Sequence, residues 1–101
     1  MALITAQELL DENHIDSNDD EIATMNRFIS DASALIRGSI SDSVTDEEIL
    51  AACPSQYNRA VSALATRIYF SRDLSEGYGL GIQIMINQIR AKMWEVLNGS
   101  D

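Results

Sequence analysis

The spacing of apolar residues predicts α-helices along most of the chain, and the pattern is clearest between residues 20 and 38. In this segment apolar positions recur at steps of three and four, which places them on one face of a helix. They are Ile22, Met25, Ile29, Ala32 and Ile36, with Phe28 and Leu35 widening the stripe. We expect this helix to be capped by Asp19 or Asp20 and to end at Gly38, because glycine suits a left-handed C-terminal cap.

Two shorter segments begin with the spacing of a capping box, a threonine followed three residues later by a glutamate. Thr5 and Glu8 predict a short helix over about residues 6–13, which is followed by a polar turn over residues 14–20. Thr45 and Glu48 predict a single short helical turn that ends at Pro54.

The segment from residue 54 to residue 97 predicts two longer helices separated by a break. Pro54 suits the first turn of a helix that continues to about Arg72. Residues 73–81 contain three glycines, and glycine costs about 1 kcal/mol relative to alanine within a helix. The helical pattern resumes over residues 82–97. Apolar stripes mark both helices: Tyr57, Val61, Leu64, Ala65 and Ile68 in the first, and Met85, Ile86, Ile89, Met93 and Val96 in the second.

These elements predict an all-α fold, a small bundle of four main helices plus a short helical turn. The 101 residues are enough for one domain with a single core, so we expect residues 1–101 to form one unit. Lacking an apolar run of about 20 residues, the chain is not expected to span a membrane. Its N-terminus has no basic start or long apolar core, so we expect no signal peptide and a protein that stays inside the cell.

Charge is distributed unevenly along the chain, whose formal net charge is −9. Residues 1–50 hold twelve acids against Arg27 and Arg37, a net of −10, whereas residues 51–101 hold four acids against five bases, a net of +1. With seven Lys and Arg residues in all, nucleic-acid binding and docking to an anionic membrane are disfavoured. The asymmetry serves solubility, or it allows the acidic half of one copy to face basic residues of a neighbour.

Reactive side chains are few and scattered. Cys53 is the single cysteine and His14 the single histidine, so no intrachain disulfide is possible and a zinc site would depend on carboxylates. A calcium loop starting at Asp16 would need glycine at its sixth position and glutamate at its twelfth, where the chain has Glu21 and Arg27. We therefore predict no catalytic residues, no cofactor and no metal.

A helix-turn-helix over residues 47–64 would present Gln56, Asn58 and Arg59 to DNA. The acidic start of its first helix and Pro54 in its turn both disfavour this interpretation.

Aromatic, methionine and arginine side chains in the C-terminal half are of the types enriched at protein interfaces. Tyr78 and Leu80, between the glycines of residues 77–81, are either contact residues or part of a flexible connection. Tyr69 and Trp94 belong either to the core alone or to a core shared with a neighbouring subunit. The predicted interface residues are Arg67, Tyr69, Arg72, Tyr78, Leu80, Arg90, Lys92 and Trp94.

The order of segments resembles a known family. LITAQELLDEN opens the chain, DDEIATMNRFISDASALIRGSI follows an acidic turn, and PSQYNRAVSALATRIYFSRD precedes the glycine-containing loop and a closing amphipathic helix. Together they resemble the head–tail connector family, the head-completion adaptors of tailed bacteriophages and prophages. The resemblance covers most of the chain, and residues 39–53 do not contribute to it.

The resemblance implies a small α-helical structural subunit without enzymatic activity. Such a subunit assembles with itself into a ring beneath the portal, of about twelve copies if it matches the portal's symmetry. Its other partners would be the portal protein and a downstream neck or tail protein, and DNA would pass through the ring without specific binding. It would reside in the host cytoplasm during assembly and then in the virion neck. The alternative is a small DNA-packaging or DNA-associated regulatory protein similar to a terminase small subunit.

Overall fold

The computed structural model describes residues 2–71 and 80–98, which form five α-helices and no strand. The helices are α1 (Ala6–Glu12), α2 (Asp19–Ile40), α3 (Asp46–Ala52), α4 (Pro54–Ser71) and α5 (Leu80–Leu97). The all-α prediction is confirmed. The helix count differs, because the predicted short helical turn is α3, a helix of 7 residues that equals α1 in length. Ile49 is fully buried, and this burial stabilises α3 beyond a single turn.

Both predicted capping boxes are present. The Glu8 amide donates to Thr5 Oγ1 at 3.2 Å, and the Thr5 amide donates to Glu8 Oε1 at 3.0 Å. Thr45 and Glu48 repeat these two bonds with the same lengths at the start of α3. The predicted cap of α2 was wrong, because Asn18 rather than Asp19 or Asp20 occupies that place: its Oδ1 accepts from the Glu21 amide at 2.9 Å. Asn18 therefore ends the polar turn and caps the start of α2.

The turn between α1 and α2 has the geometry of a Schellman motif. His14 lies in the left-handed region with φ of 57° and donates its amide to Asp11 O at 3.1 Å. The next amide, that of Ile15, donates to Leu10 O at 2.9 Å. These bonds satisfy carbonyls at the end of α1. They require His14 to adopt a left-handed conformation, which glycine adopts more easily because it has no Cβ.

The predicted end of α2 at Gly38 was wrong. The helix continues to Ile40, and the amide of Ser41 donates to Arg37 O at 3.0 Å. Ile40 packs against the core, so its burial favours continuation of the helix past the glycine. Gly38 is exposed, and nothing lies within 4 Å of the position that a Cβ would occupy there.

The core lies where α2 and α4 pack together, with α1 against α2 and with α5 against α2, α3 and α4. Its fully buried large side chains come from all five helices and are Leu9, Leu10, Met25, Ile36, Ile49, Tyr57, Val61, Leu64, Ile86, Ile89 and Met93. Most predicted stripe positions therefore face the core. Leu35 and Val96 do not, since they are 40% and 50% exposed on sides of α2 and α5 that the described helices leave uncovered.

A polar cluster joins three helices beside this core. Asp46, in the first turn of α3, accepts a 2.7 Å ion-paired hydrogen bond from Arg37 of α2 and a second hydrogen bond from the hydroxyl of Tyr57 of α4. Arg37 also donates to the hydroxyl of Ser33 at 3.2 Å. Burial, followed by the hydrogen bond to Asp46, raises the pKa of Tyr57 well above its ordinary value. The neutral hydroxyl is thereby held as a donor.

Candidate subunit interface

One flank of α5 exposes a large aromatic side chain together with neighbouring apolar ones. Trp94 is 67% exposed and Leu97 is 46% exposed. Residues three or four apart lie on the same side of a helix, so Arg90, Trp94 and Leu97 share this flank. The buried residues Ile86, Ile89 and Met93 face the core from the adjacent side of the same helix.

This flank forms one wall of a groove whose other wall is the C-terminal end of α2. The groove has a volume of about 520 Å³ and is open to solvent. Its lining residues are Ile40, Ser41, Asn87, Arg90, Ala91, Trp94, Leu97 and Asn98. We call this surface the α5 groove. Its lining combines apolar side chains with polar and charged ones, including the tryptophan and arginine that are enriched in protein–protein contacts.

The positive charges beside the groove lack carboxylate partners within the described part of the chain. Among residues 2–71 and 80–98 the one ion pair joins Arg37 to Asp46. Arg90 and Lys92 are exposed on α5 without such a pair. On α4, the Nε atom of half-buried Arg67 is shielded from solvent and has no hydrogen-bond partner. Arg90 and Lys92 are therefore available to a carboxylate supplied from outside.

The predicted contact residues fall into three groups. Arg90, Lys92 and Trp94 lie on exposed sides of α5, and the first and last of them line the α5 groove. Arg67 and Tyr69 are half-buried on α4. Arg72 and Tyr78 lie outside the described residues, as does the side chain of Leu80. The contact loop predicted over residues 73–81 therefore stays a prediction.

Tyr69 lies in an aromatic corner between α4 and the start of α2. Its hydroxyl donates to Glu21, and its ring makes edge-to-face contacts with Phe28 at 6.2 Å and Phe70 at 5.1 Å between centroids. These contacts hold the acidic first turn of α2 against α4. Phe70, at the edge of this corner, is 65% exposed.

The face that a helix-turn-helix protein would present to DNA is partly occupied. Asn58 Oδ1 accepts from the Ile4 amide at 2.8 Å, and Asn58 Nδ2 donates to Ala2 O at 3.0 Å. One of the three predicted DNA-contacting side chains therefore holds the N-terminal segment against α4. This contact and the acidic first turn of α3 weaken the helix-turn-helix interpretation further.

The described residues offer little for chemistry. No group of three or more His, Cys, Asp or Glu side chains within them is arranged to hold a metal ion. Cys53 is buried, and this burial raises the pKa of its thiol while Lys92 opposes the rise. A neutral thiol is a weak nucleophile. In the same part of the chain, none of the helices combines the length and the apolar character needed to cross a bilayer.

Sequence reasoning identified Trp94 and Arg90 as contact candidates but missed the opposite wall of the groove. Leu97 was recoverable, since it lies three residues after Trp94 on the same helical flank. Ile40 was not recoverable, because the sequence predicted that α2 would end before it.

No family model, no curated protein and no solved structure matches the chain.

Proposed function

We propose that this chain is a structural subunit of a phage neck ring, which binds beneath the portal and connects the DNA-filled head to the tail or to the next neck component. The observation that carries the proposal is the α5 groove, where a 67% exposed Trp94 lies beside Leu97 and an Arg90 without an ion-paired partner in the described chain. Large aromatic and arginine side chains supply most of the affinity in protein interfaces.

The exposed apolar surface supports an assembly role rather than an isolated monomer. Burial of apolar area contributes roughly 25 cal/mol per Å², so leaving a tryptophan and a leucine side by side in water forgoes stabilisation that a partner would supply. The described residues contain no catalytic arrangement that would explain the groove as a substrate site. Contact with another protein accounts for it more simply.

The charge supports a ring through which DNA passes. The net charge of −9 arises mainly from α1, α2, α3 and the turns that join them. Acidic surfaces repel phosphates, and a channel for the genome must let DNA slide without retaining it. The resemblance to head–tail connectors adds the portal and the downstream neck or tail protein as partners.

Assembly state tests the proposal directly. Native mass spectrometry of the purified chain, alone and mixed with the portal ring of the genome that encodes it, should show a closed multimer in at least one of the two conditions. A chain that stays monomeric alone and also fails to join the portal would overturn the proposal.

DNA binding distinguishes the alternative role in packaging or regulation. In an electrophoretic shift assay at moderate salt, double-stranded DNA should remain unshifted, because the acidic surface opposes phosphate contact. Tight, saturable binding would replace the ring proposal with the terminase-like one.

A further inference from the structure

The α5 groove and the outer side of α2 carry complementary features at different places on the molecule. On the groove, Arg90 accompanies the exposed Trp94. On α2, Asp31 is exposed one turn before Leu35, which is 40% exposed. We call the side of α2 that carries these two residues the α2 ridge. Asp31 and Arg90 thus place opposite charges beside an exposed apolar side chain on each surface, and exposed Arg27 lies one turn before Asp31.

These two surfaces do not meet within one molecule. Ile40, in the groove wall, follows Leu35 by five residues, which is about 140° around the helix axis. Asp31 and Leu35 are separated by about 40° and share the ridge. The groove and the ridge therefore point away from α2 in different directions, as successive contacts in a ring require.

Charge decides which pairing of surfaces is favourable. Two grooves facing each other would bring two Arg90 side chains together, and two ridges would bring together two halves of net charge −10. Groove against ridge instead pairs Arg90 with Asp31, and neither residue has an ion pair within the described chain. A contact between two different surfaces propagates from copy to copy.

The ridge also allows close approach. Gly38 lies about one turn beyond Leu35 and is exposed within the helix. Its φ lies outside the left-handed region and nothing lies within 4 Å of its Cβ position, so the chain's own fold does not require glycine there. A partner that packs over this position would benefit from the missing side chain.

We propose that the α5 groove of one copy receives the α2 ridge of the next, with Trp94 packing against Leu35 and Arg90 pairing with Asp31. This inference rests on the proposed function, since it names the surfaces by which neighbouring ring subunits meet. The copies are arranged head-to-tail, so in a closed ring both surfaces of every subunit are occupied.

Charge reversal tests the pairing. Arg90→Glu and Asp31→Arg should each weaken self-association at least about tenfold, because like charges then oppose each other, whereas the double variant should restore most of it. Trp94→Ala should weaken it by about tenfold or more, as truncation of an aromatic anchor does. Multimer populations are measured by native mass spectrometry and sedimentation across protein concentration, with the portal ring present if the chain assembles only there.

Matched controls separate the pairing from a general effect of charge. Arg59→Glu and Asp16→Arg make the same changes at exposed positions outside both surfaces. Both control variants should assemble like the parent chain. Circular dichroism of every variant should show unchanged helicity and melting, since Asp31, Arg90 and Trp94 are all exposed.

The outcomes are distinct for the two proposals. If the Arg90→Glu, Asp31→Arg and Trp94→Ala variants each form the same multimer as the parent chain, the groove–ridge pairing is overturned and the ring function is left intact. If the variants still associate with one another but no longer bind the portal ring, the groove contacts the portal and the groove–ridge pairing is overturned as well. Absence of any multimer from the parent chain, free or on the portal, overturns both.

Discussion

Removal of the Asp46 carboxylate should destabilise the protein by more than its surface position suggests. Asp46 is the shared acceptor for Arg37 of α2 and Tyr57 of α4, and its side chain is 31% exposed. In Asp46→Ala, the hydroxyl of the fully buried Tyr57 loses its carboxylate acceptor inside the protein. The variant therefore combines loss of an ion pair with an unsatisfied buried donor.

The magnitude follows from these separate losses. An unsatisfied buried hydroxyl costs about 1–3 kcal/mol. The partly exposed ion pair contributes about 0–1 kcal/mol, and an acidic residue in the first turn of a helix adds about 0.3–1 kcal/mol. We expect Asp46→Ala to lower the free energy of unfolding by about 2–4 kcal/mol. For a domain of this size each kcal/mol lowers the melting temperature by about 4–8 °C.

A double-mutant cycle isolates the role of the tyrosine. Tyr57→Phe alone should cost about 0.5–1.5 kcal/mol, because it removes one hydrogen bond and leaves Asp46 paired with Arg37. When combined with Asp46→Ala, it should cost less than the sum of the two single changes by about 1 kcal/mol or more, since no buried hydroxyl remains unsatisfied.

Urea unfolding monitored by far-UV circular dichroism measures these differences. Glu47→Ala is the matched control, because Glu47 is an exposed acid in the same first turn without a hydrogen bond to α2 or α4. If Asp46→Ala costs no more than Glu47→Ala, or if the cycle is strictly additive, the shared-acceptor argument is refuted.

Three further predictions concern alkaline stability, the N-terminal segment and the turn between α1 and α2. Burial and the hydrogen bond to Asp46 raise the pKa of Tyr57 in the folded state, so its stabilising contribution is complete below its ordinary pKa of about 10 and is lost as pH rises above it. Between about pH 10 and 12 Tyr57→Phe should therefore lose less stability than the parent in urea titrations; parallel losses would contradict this. Asn58→Ala should accelerate hydrogen exchange at the Ile4 amide and cost about 1–2 kcal/mol, because both hydrogen bonds from Asn58 to residues 2–4 disappear. An unchanged exchange rate would show that the packing of Leu3 and Ile4 against the core holds the segment. His14→Gly should raise the free energy of unfolding by about 0.5–1 kcal/mol, since glycine adopts a φ of 57° without the penalty of a Cβ, and a lower melting temperature would disprove this.

Much of the secondary structure was predictable because its determinants are local. Both capping boxes involve residues three apart, so Thr5 and Thr45 specify helix starts without reference to the rest of the chain. The apolar stripe of α2 likewise encodes which side is buried. Where local signals competed, prediction was wrong. The predicted caps were Asp19 and Asp20, but the neighbouring Asn18, also of a favoured cap type, takes that place. Gly38 was predicted as the end of α2, but the burial of Ile40 favours continuation of the helix.

The candidate interface was predictable only in part. Residue type marked Trp94 and Arg90 as contact candidates, but the same types also occur in cores, and exposure depends on which side of α5 the other helices cover. The hydrogen bonds from Arg37 and Tyr57 to Asp46 could not be predicted from the sequence either, because they form only when three helices meet at one carboxylate.

The sequence by itself determined that the chain is helical, where most helices begin, and that its acids and bases are segregated between its two halves. These properties depend on residues within about one or two helical turns of each other, or on composition alone. Only the tertiary structure decided that Leu35 and Trp94 remain exposed, that Ile40 joins α5 in a groove, and that Asp46 serves two donors. Burial is a property of neighbours brought together by folding, and it is set by helix packing rather than by the order of residues in any one segment.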